Sequence, residues 1–189
     1  MSVPLLFVDD LALAVALTAG DEEAFRTLVE AETHSVFRTC YRILGRIEDA
    51  EDATQETFVL AHRSLASYRG DGRPGAWLVR IATRHCWRRA ATTRRRVAFT
   101  TPLDDVLTAT LAGPGDPARD ALDAERRASL RQAVAALPEP YREVLTLRFF
   151  GELSLADICL VTDRPMGTVK AQLHRGLERL RRTIERGVS

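Results

Sequence analysis

Basic and amide side chains near the end of the 189-residue chain have the chemistry to read DNA. Lys170 and Arg175 can donate hydrogen bonds to guanine, and Gln172 can pair with adenine. The apolar positions of the same segment recur at intervals of three and four residues: Val169, Leu173, Leu177, Leu180 and Ile184. The pattern predicts an amphipathic helix that buries this apolar stripe and presents donors and acceptors on its other faces.

A second helix must lie directly before this one. Ser154 followed by Asp157 is typical of a capping box and predicts a helix start at Ser154. Residues 162–165, which end in a proline, predict a turn, and Gly167 begins the second helix. A short helix, a tight turn and a helix with outward basic side chains predict a helix-turn-helix. On spacing alone, two helices of an all-α bundle with solvated charges remain an alternative.

A second basic surface is predicted earlier in the chain. Arg80, Arg84 and Arg88 recur every four residues within a helix predicted at about 75–95, so they form one stripe. A stripe of guanidinium groups can follow a phosphate backbone, and its binding would weaken steeply with salt.

An acidic surface is predicted on a helix at about 48–66. Asp49, Asp52 and Glu56 share one face of it by their three- and four-residue spacing. Carboxylates so close together repel one another. The face therefore needs a basic partner, or it is simply solvated.

The net charge of +1 hides a strong polarity along the chain. Residues 61–100 contain ten arginines and a single acid, Asp71, whereas residues 1–60 contain 12 acids and 4 bases. Such asymmetry favours one basic surface for a polyanion and one acidic surface for a different partner.

The elements that position these groups are all predicted to be helical. Two helices precede the acidic block, the first opened by Asp21 as N-cap and the second closed by Gly45. Alternating strand patterns are absent. We predict an all-α protein of two small helical domains, 8–96 and 118–189, joined by a flexible acidic linker over 97–117, with a helix-turn-helix in the C-terminal domain.

Other classes are disfavoured by the sequence. Three cysteines and four histidines show no metal-ligand spacing, so we predict no metal site and no cofactor. Phosphate-binding loops and nucleophile motifs are missing, which argues against an enzyme and leaves no catalytic residue to assign. The apolar stretch near the start is interrupted by Asp9 and Asp10 and is too short to span a bilayer, so a cytoplasmic protein without membrane insertion is expected.

Two motif blocks carry a family resemblance. Residues 137–154 and 167–175 resemble domain 4 of bacterial sigma factors, and residues 49–58 and 77–82 resemble domain 2. Their order and the linker between them resemble the small extracytoplasmic-function (ECF) class of the sigma-70 superfamily. The resemblance implies a factor that binds core RNA polymerase, recognises the −35 and −10 promoter elements and helps to melt DNA.

The resemblance also assigns roles to individual residues. Contact with core polymerase, through its β′ clamp and β subunit, falls to Asp49, Asp52, Gln55 and Glu56. Contact with the −10 element, including its melted non-template strand, falls to Tyr68, Arg69, Asp71, Arg73, Arg80, Arg84 and Arg88. Contact with the −35 duplex falls to Thr168, Lys170, Gln172, His174, Arg175 and Arg179. An anti-sigma factor is a further expected partner.

The Gly-rich loop from Tyr68 to Gly75 corresponds to the family's specificity loop, which captures a flipped base. Its glycines allow close backbone approach, and Tyr68 can stack on a base for about 1–3 kcal/mol. Trp77 is either a core residue or a wedge at the duplex fork. This chain departs from the common family pattern at Ala171 and Gln172, and Gly176 within a helix is expected to cost up to about 1 kcal/mol.

Two other functions remain open at this point. A stand-alone helix-turn-helix regulator would explain residues 137–182 but would leave the acidic block and the Gly-rich loop without a role. A helical protein-interaction module is the second alternative.

Overall fold

The computed structural model describes residues 9–99 and 117–187. All regular structure in these two ranges is helical, which confirms the predicted fold class. The first domain contains helices α1 (Asp9–Thr18), α2 (Glu22–Leu44), α3 (Ile47–Arg63) and α4 (Pro74–Phe99) and a 3₁₀ turn (Leu65–Ser67). The second contains α5 (Pro117–Ala135), α6 (Tyr141–Leu145), a π turn (Thr146–Phe150), α7 (Leu155–Thr162) and α8 (Met166–Gly187).

Helix α2 is one helix, and the prediction of two helices was wrong. The Asp21 carboxylate caps its start by accepting hydrogen bonds from the backbone N–H groups of Glu23 and Ala24, at 2.8 and 3.1 Å. Gly45 ends it in the left-handed conformation, with φ of +84°. The polar stretch between the two apolar patterns contains neither glycine nor proline, so nothing in the backbone interrupts the helix.

The first domain is built around α2 and α4, which pack on α3. Val36 and Cys40 of α2 and Leu78 and Cys86 of α4 are completely buried in its core. Helix α1, which the apolar pattern did not identify as a helix, adds Ala14 and Leu17 to this core. Among the described helices, none is long and apolar enough to cross a membrane.

The second domain has the predicted helix-turn-helix. The Ser154 side chain accepts from the backbone N–H of Asp157, and the Asp157 carboxylate accepts from that of Ser154, so the capping box is present. Asp163 turns the chain in the left-handed conformation, and α8 begins three residues later. The predicted linker, 97–117, lies mostly outside the described residues.

The buried stripe of α8 differs from the prediction. Val169 is completely buried, but Leu177 and Ile184 are 42% and 44% exposed. Gly176 takes the buried position instead, and a Cβ atom there would lie 3.1 Å from Leu145 Cδ1 of α6. The glycine therefore lets α6 and α8 approach closely, a packing role that offsets its low helix propensity.

The two domains pack against each other, which the sequence did not predict. Ala76 and Val79 of α4 belong to the same apolar cluster as Val144, Leu147 and Ile158 of the second domain. At Gly151 a Cβ atom would lie 2.5 Å from Val79 Cγ1, so a side chain there would push the domains apart.

Candidate nucleic-acid and protein interfaces

Helix α8 presents the predicted −35 contacts to solvent. Its exposed members of that set are Thr168, Lys170, His174, Arg175 and Arg179. Gln172 is half-buried, and its side-chain oxygen accepts a hydrogen bond of 3.4 Å from Arg164. Donors on an exposed helix after a tight turn are available to base edges and phosphates without rearrangement.

Arg175 and Arg179 differ in how they are held. The Arg179 guanidinium lies over the Tyr141 ring, 4.9 Å from its centroid, which fixes the side chain against α6. Within the described residues, Arg175 has no ion pair or ring contact. Arg175 is therefore the more freely available donor.

The arginine stripe of α4 is divided between solvent and protein. Arg84 and Arg88 are exposed, whereas Arg80 is half-buried and lies 3.4 Å from the Glu143 carboxylate. The Glu143 side chain is only 12% exposed and also lies 2.7 Å from Arg164, which precedes the recognition helix. One carboxylate thus bridges an arginine of each domain.

The predicted specificity loop is folded around Tyr68, which is only 6% exposed and belongs to the core of the first domain. The prediction that its ring stacks on a base is therefore wrong for this conformation, because no face of the ring is open to solvent. The Tyr68 hydroxyl donates to the Gly72 carbonyl over 3.1 Å, and its ring packs on Trp77 with centroids 5.0 Å apart. Gly70 and Gly72 have φ of +75° and +84°, which other residues adopt only with strain. Burial, with the nearby Asp10 and Asp71 carboxylates, raises the pKa of Tyr68 to about 12.

A cavity of about 370 Å³ lies between this loop and α7. The first domain contributes Tyr68, Trp77 and the arginines at 69, 80 and 84, and α7 contributes Leu160 and Val161. Arg73 does not line it, because its guanidinium pairs with Asp10 at 3.2 Å. The structure therefore groups most of the predicted −10 residues around one cavity and directs Arg73 elsewhere, while Trp77 is half-buried at the cavity wall.

The acidic face of α3 has an internal partner that the sequence did not identify. Arg89 of α4 lies 3.1 Å from Asp49, 3.2 Å from Asp52 and 3.4 Å from Glu56. No spacing in the sequence links Arg89 to this face, because it follows Arg88 directly and lies off the Arg80–Arg84–Arg88 stripe. Gln55 is exposed on the same helix. Arg46 also lies 3.9 Å from Asp49. The acidic face keeps a net negative charge, because two arginines do not neutralise three carboxylates.

Comparison with known proteins identifies both halves of the chain. The family model for sigma-70 region 2 matches residues 28–96, and the model for sigma-70 region 4 matches residues 127–180. The ECF RNA polymerase sigma factor SigW of Bacillus subtilis is 33% identical over 178 residues, covering 87% of this chain and 91% of its own length. This chain belongs to the ECF RNA polymerase sigma factors.

Other sigma-factor relatives match over a similar length. The RNA polymerase sigma-H factor of Pseudomonas aeruginosa is 33% identical and covers 93% of this chain and 94% of its own length. The ECF sigma-E factor of Escherichia coli is 29% identical with the same coverage. Because the matches include both domains, neither a stand-alone regulator nor an interaction module is favoured.

Solved structures of two other proteins share the fold. CnrH, in complex with the cytosolic domain of CnrY, superimposes with a TM-score of 0.57 at 20% identity, over 93% of this chain and 97% of its own. The sigma factor RpoE of Bartonella quintana, in complex with the anti-sigma factor NepR, gives 0.54 at 19% identity, over 85% and 96%. At these identities the likeness establishes the helical fold.

Proposed function

We propose that this ECF sigma factor directs promoter-specific initiation by holding core RNA polymerase with one surface and promoter DNA with two others. The observation that carries the proposal is the separation of these surfaces in one chain. The acidic face lies on α3, whereas the basic groups lie on α4, on the 68–73 loop and on α8. The protein acts in the cytoplasm by binding and catalyses no reaction of its own.

The first domain, residues 8–96, is assigned to polymerase and the −10 element. The polymerase contact is formed by Asp49, Asp52, Gln55 and Glu56. Arg89 lies within 3.4 Å of all three carboxylates of this set. Promoter melting uses the first-domain wall of the cavity beside the 68–73 loop, where an unstacked base can lie against Trp77 while arginines contact phosphates. Tyr68, which is only 6% exposed, supports the loop from inside.

The second domain, residues 118–189, is assigned to the −35 duplex. Lys170, Arg175 and Thr168 are exposed on the first turns of α8, where a recognition helix contacts base edges. The linker, 97–117, lets the two domains reach separate promoter elements. CnrH and RpoE are bound to CnrY and NepR in their structures, and we propose an anti-sigma partner for this chain as well.

The decisive experiment is run-off transcription. Purified protein is added to core polymerase with a library of promoter fragments from the source genome, and transcripts with defined start sites are expected. Absence of both initiation and core binding would refute the proposal.

The polymerase surface is tested separately with the double variant Asp52→Lys/Glu56→Lys. Core affinity is expected to fall at least about tenfold, since charge reversal places like charges opposite each other. The matched control, Glu30→Lys/Glu51→Lys, makes the same charge change at exposed positions outside the proposed contact. Equal affinities for the two double variants would show that the acidic face has been misassigned.

A further inference from the structure

The contact between the two domains is extensive and uses polar groups of both. Arg38 and Arg42 of α2 lie 2.7 and 2.6 Å from the Glu152 carboxylate, and Arg42 also donates to the Phe150 carbonyl over 2.9 Å. The Trp87 indole N–H donates to the Thr146 hydroxyl over 3.0 Å. These bonds surround the apolar contact made by Val79.

This contact covers part of the surface proposed for the −10 element. Arg80 lies 3.4 Å from Glu143 and its side chain is 30% exposed, whereas Arg84 and Arg88 stay exposed. Leu160 of α7 lies against the 68–73 loop, close enough that a Cβ atom at Gly72 would be 3.3 Å from its own Cβ. A DNA strand that follows Arg80, Arg84 and the loop would therefore meet α7.

The two glutamates occupy positions that suit an anion. A carboxylate offers a guanidinium the same charge and geometry of acceptors as a phosphate oxygen pair. Glu143 and Glu152 both lie in the second domain, and each accepts contacts from arginines of the first. Apolar packing at Val79 and Gly151 then sets how closely the domains approach.

We propose that the second domain is an internal competitor of promoter DNA. In the docked state Glu143 occupies the position of a phosphate at Arg80, and Glu152 pairs with Arg38 and Arg42 of α2. Helix α7 lies against the specificity loop. Binding of the −10 strand and docking of the second domain are mutually exclusive, while α8 remains available to duplex DNA. The competition rests on the proposed −10 role of the first domain; the docking itself does not.

Docking is tested with the full chain bearing Glu143→Gln/Glu152→Gln. Small-angle scattering gives the radius of gyration, about 16 Å for a compact chain of 189 residues. The double variant is expected to exceed both this value and the wild-type value. The chain's two tryptophans, Trp77 and Trp87, both lie at the contact, so their emission should shift to the red and acrylamide quenching should increase.

The matched control is Glu51→Gln/Glu125→Gln, which removes the same two charges from exposed positions on α3 and α5. It should leave the radius of gyration and the emission unchanged, and circular dichroism should show full helicity in every variant. A double variant that stays as compact as the control would overturn docking through these glutamates.

Competition is tested with a reversible disulfide lock between the two domains. The charge variant alone is not sufficient, because it also removes the carboxylate that pairs with Arg164. Gly72→Cys/Leu160→Cys in a Cys159→Ser background places two thiols near disulfide distance. Diamide oxidises the pair, and dithiothreitol restores the same molecule as its own control. The probes are a labelled random single strand of about 20 nucleotides and the corresponding duplex.

The oxidised protein is expected to bind the single strand at least tenfold more weakly than the reduced protein and to bind the duplex equally well. The Glu143→Gln/Glu152→Gln variant should bind the single strand roughly threefold to tenfold more tightly than wild type, as expected when most molecules are docked. Single-strand binding that is unaffected by the lock would overturn the competition. Scattering does not depend on DNA binding, so it would still report docking in that case. Failure of the competition is therefore distinguishable from failure of the proposed function, which the transcription assay tests.

Discussion

The two surfaces proposed to read DNA in this sigma factor are presented in opposite ways. Helix α8 points most of its donors into solvent, whereas the surface around Arg80 and the 68–73 loop lies against the second domain. The polar groups of α8 are available at once. On the −10 surface Arg80 and Arg69 already lie 3.4 and 3.9 Å from carboxylates of the second domain, so DNA must replace these contacts, whereas Arg84 is exposed.

The difference teaches that exposure and charge are separate properties of a binding site. Arg80 and Arg175 both belong to basic helical faces, yet only Arg80 has a carboxylate within 3.4 Å. Binding at Arg175 gains a new contact, while binding at Arg80 exchanges one contact for another. The net gain is smaller in the second case.

The largest effect is expected from truncating a residue of the apolar cluster that joins the two domains. Ile158→Ala truncates a completely buried residue of α7 and should lower the free energy of unfolding by about 2–5 kcal/mol. Thermal unfolding by circular dichroism measures this loss. The control Leu177→Ala, at a 42% exposed position of α8, should cost under about 1 kcal/mol, and equal costs would contradict the described packing.

A smaller effect separates docking from folding. Gly151→Ala places a methyl group 2.5 Å from Val79 Cγ1 and should cost about 1–3 kcal/mol of docking, with a larger radius of gyration. Gly167→Ala is the matched control, since a Cβ atom there meets nothing within 4 Å and should stabilise by about 0.4–1 kcal/mol. If both variants behave alike, the close approach at Gly151 does not limit docking.

The exposed surface is tested by comparing two arginines of α8. Arg175→Ala should reduce the slope of log K against log[salt] for duplex binding by about one, because a phosphate contact is lost. Arg179→Ala should change it less, since Arg179 is held over Tyr141. Filter binding of a random duplex from 50 to 300 mM salt gives both slopes. A larger reduction of the slope for Arg179→Ala than for Arg175→Ala would contradict these roles.

The smallest effect is a pH dependence of docking. Hydrogen bonding from Arg42, together with the charges of Arg42 and Arg38, lowers the pKa of Glu152 below its ordinary value of 4.5. The docked state therefore favours the carboxylate, and its contribution is complete above pH 4.5 and is lost as the pH falls through the lowered pKa. Tryptophan emission from pH 6 to 3.5 should show this opening. Glu152→Gln should remove that part of the titration, and an unchanged profile would exclude Glu152 as its source.

The features predicted correctly were those encoded by neighbouring residues. Ser154 and Asp157 cap a helix through atoms three positions apart, and Asp21 and Gly45 mark the ends of α2 in the same local way. The apolar period of α8 predicted the burial of Val169 and the exposure of Lys170 and Arg175, but it wrongly placed Leu177 and Ile184 in the buried stripe. Gly176 was harder to interpret, because its packing role depends on Leu145 of another helix.

What was not predicted depends on residues far apart in the chain. Arg80 and Glu143 are separated by 63 positions, and Arg42 and Glu152 by 110. No sequence period specifies which of several arginines meets a given carboxylate. The pairing of Arg89 with the acidic face was not anticipated for the same reason: it depends on how α3 packs on α4.

The Glu143 carboxylate connects the surface around Arg80 with the start of α8. It contacts Arg80 in the first domain and Arg164 beside the recognition helix, and Arg164 also reaches Gln172. Because coupling between two ligands is reciprocal, a ligand at Arg80 changes affinity at Gln172 by the same factor by which a ligand at Gln172 changes affinity at Arg80. The duplex affinities of the oxidised and the reduced lock measure this factor, and the equal affinities expected above place it close to one.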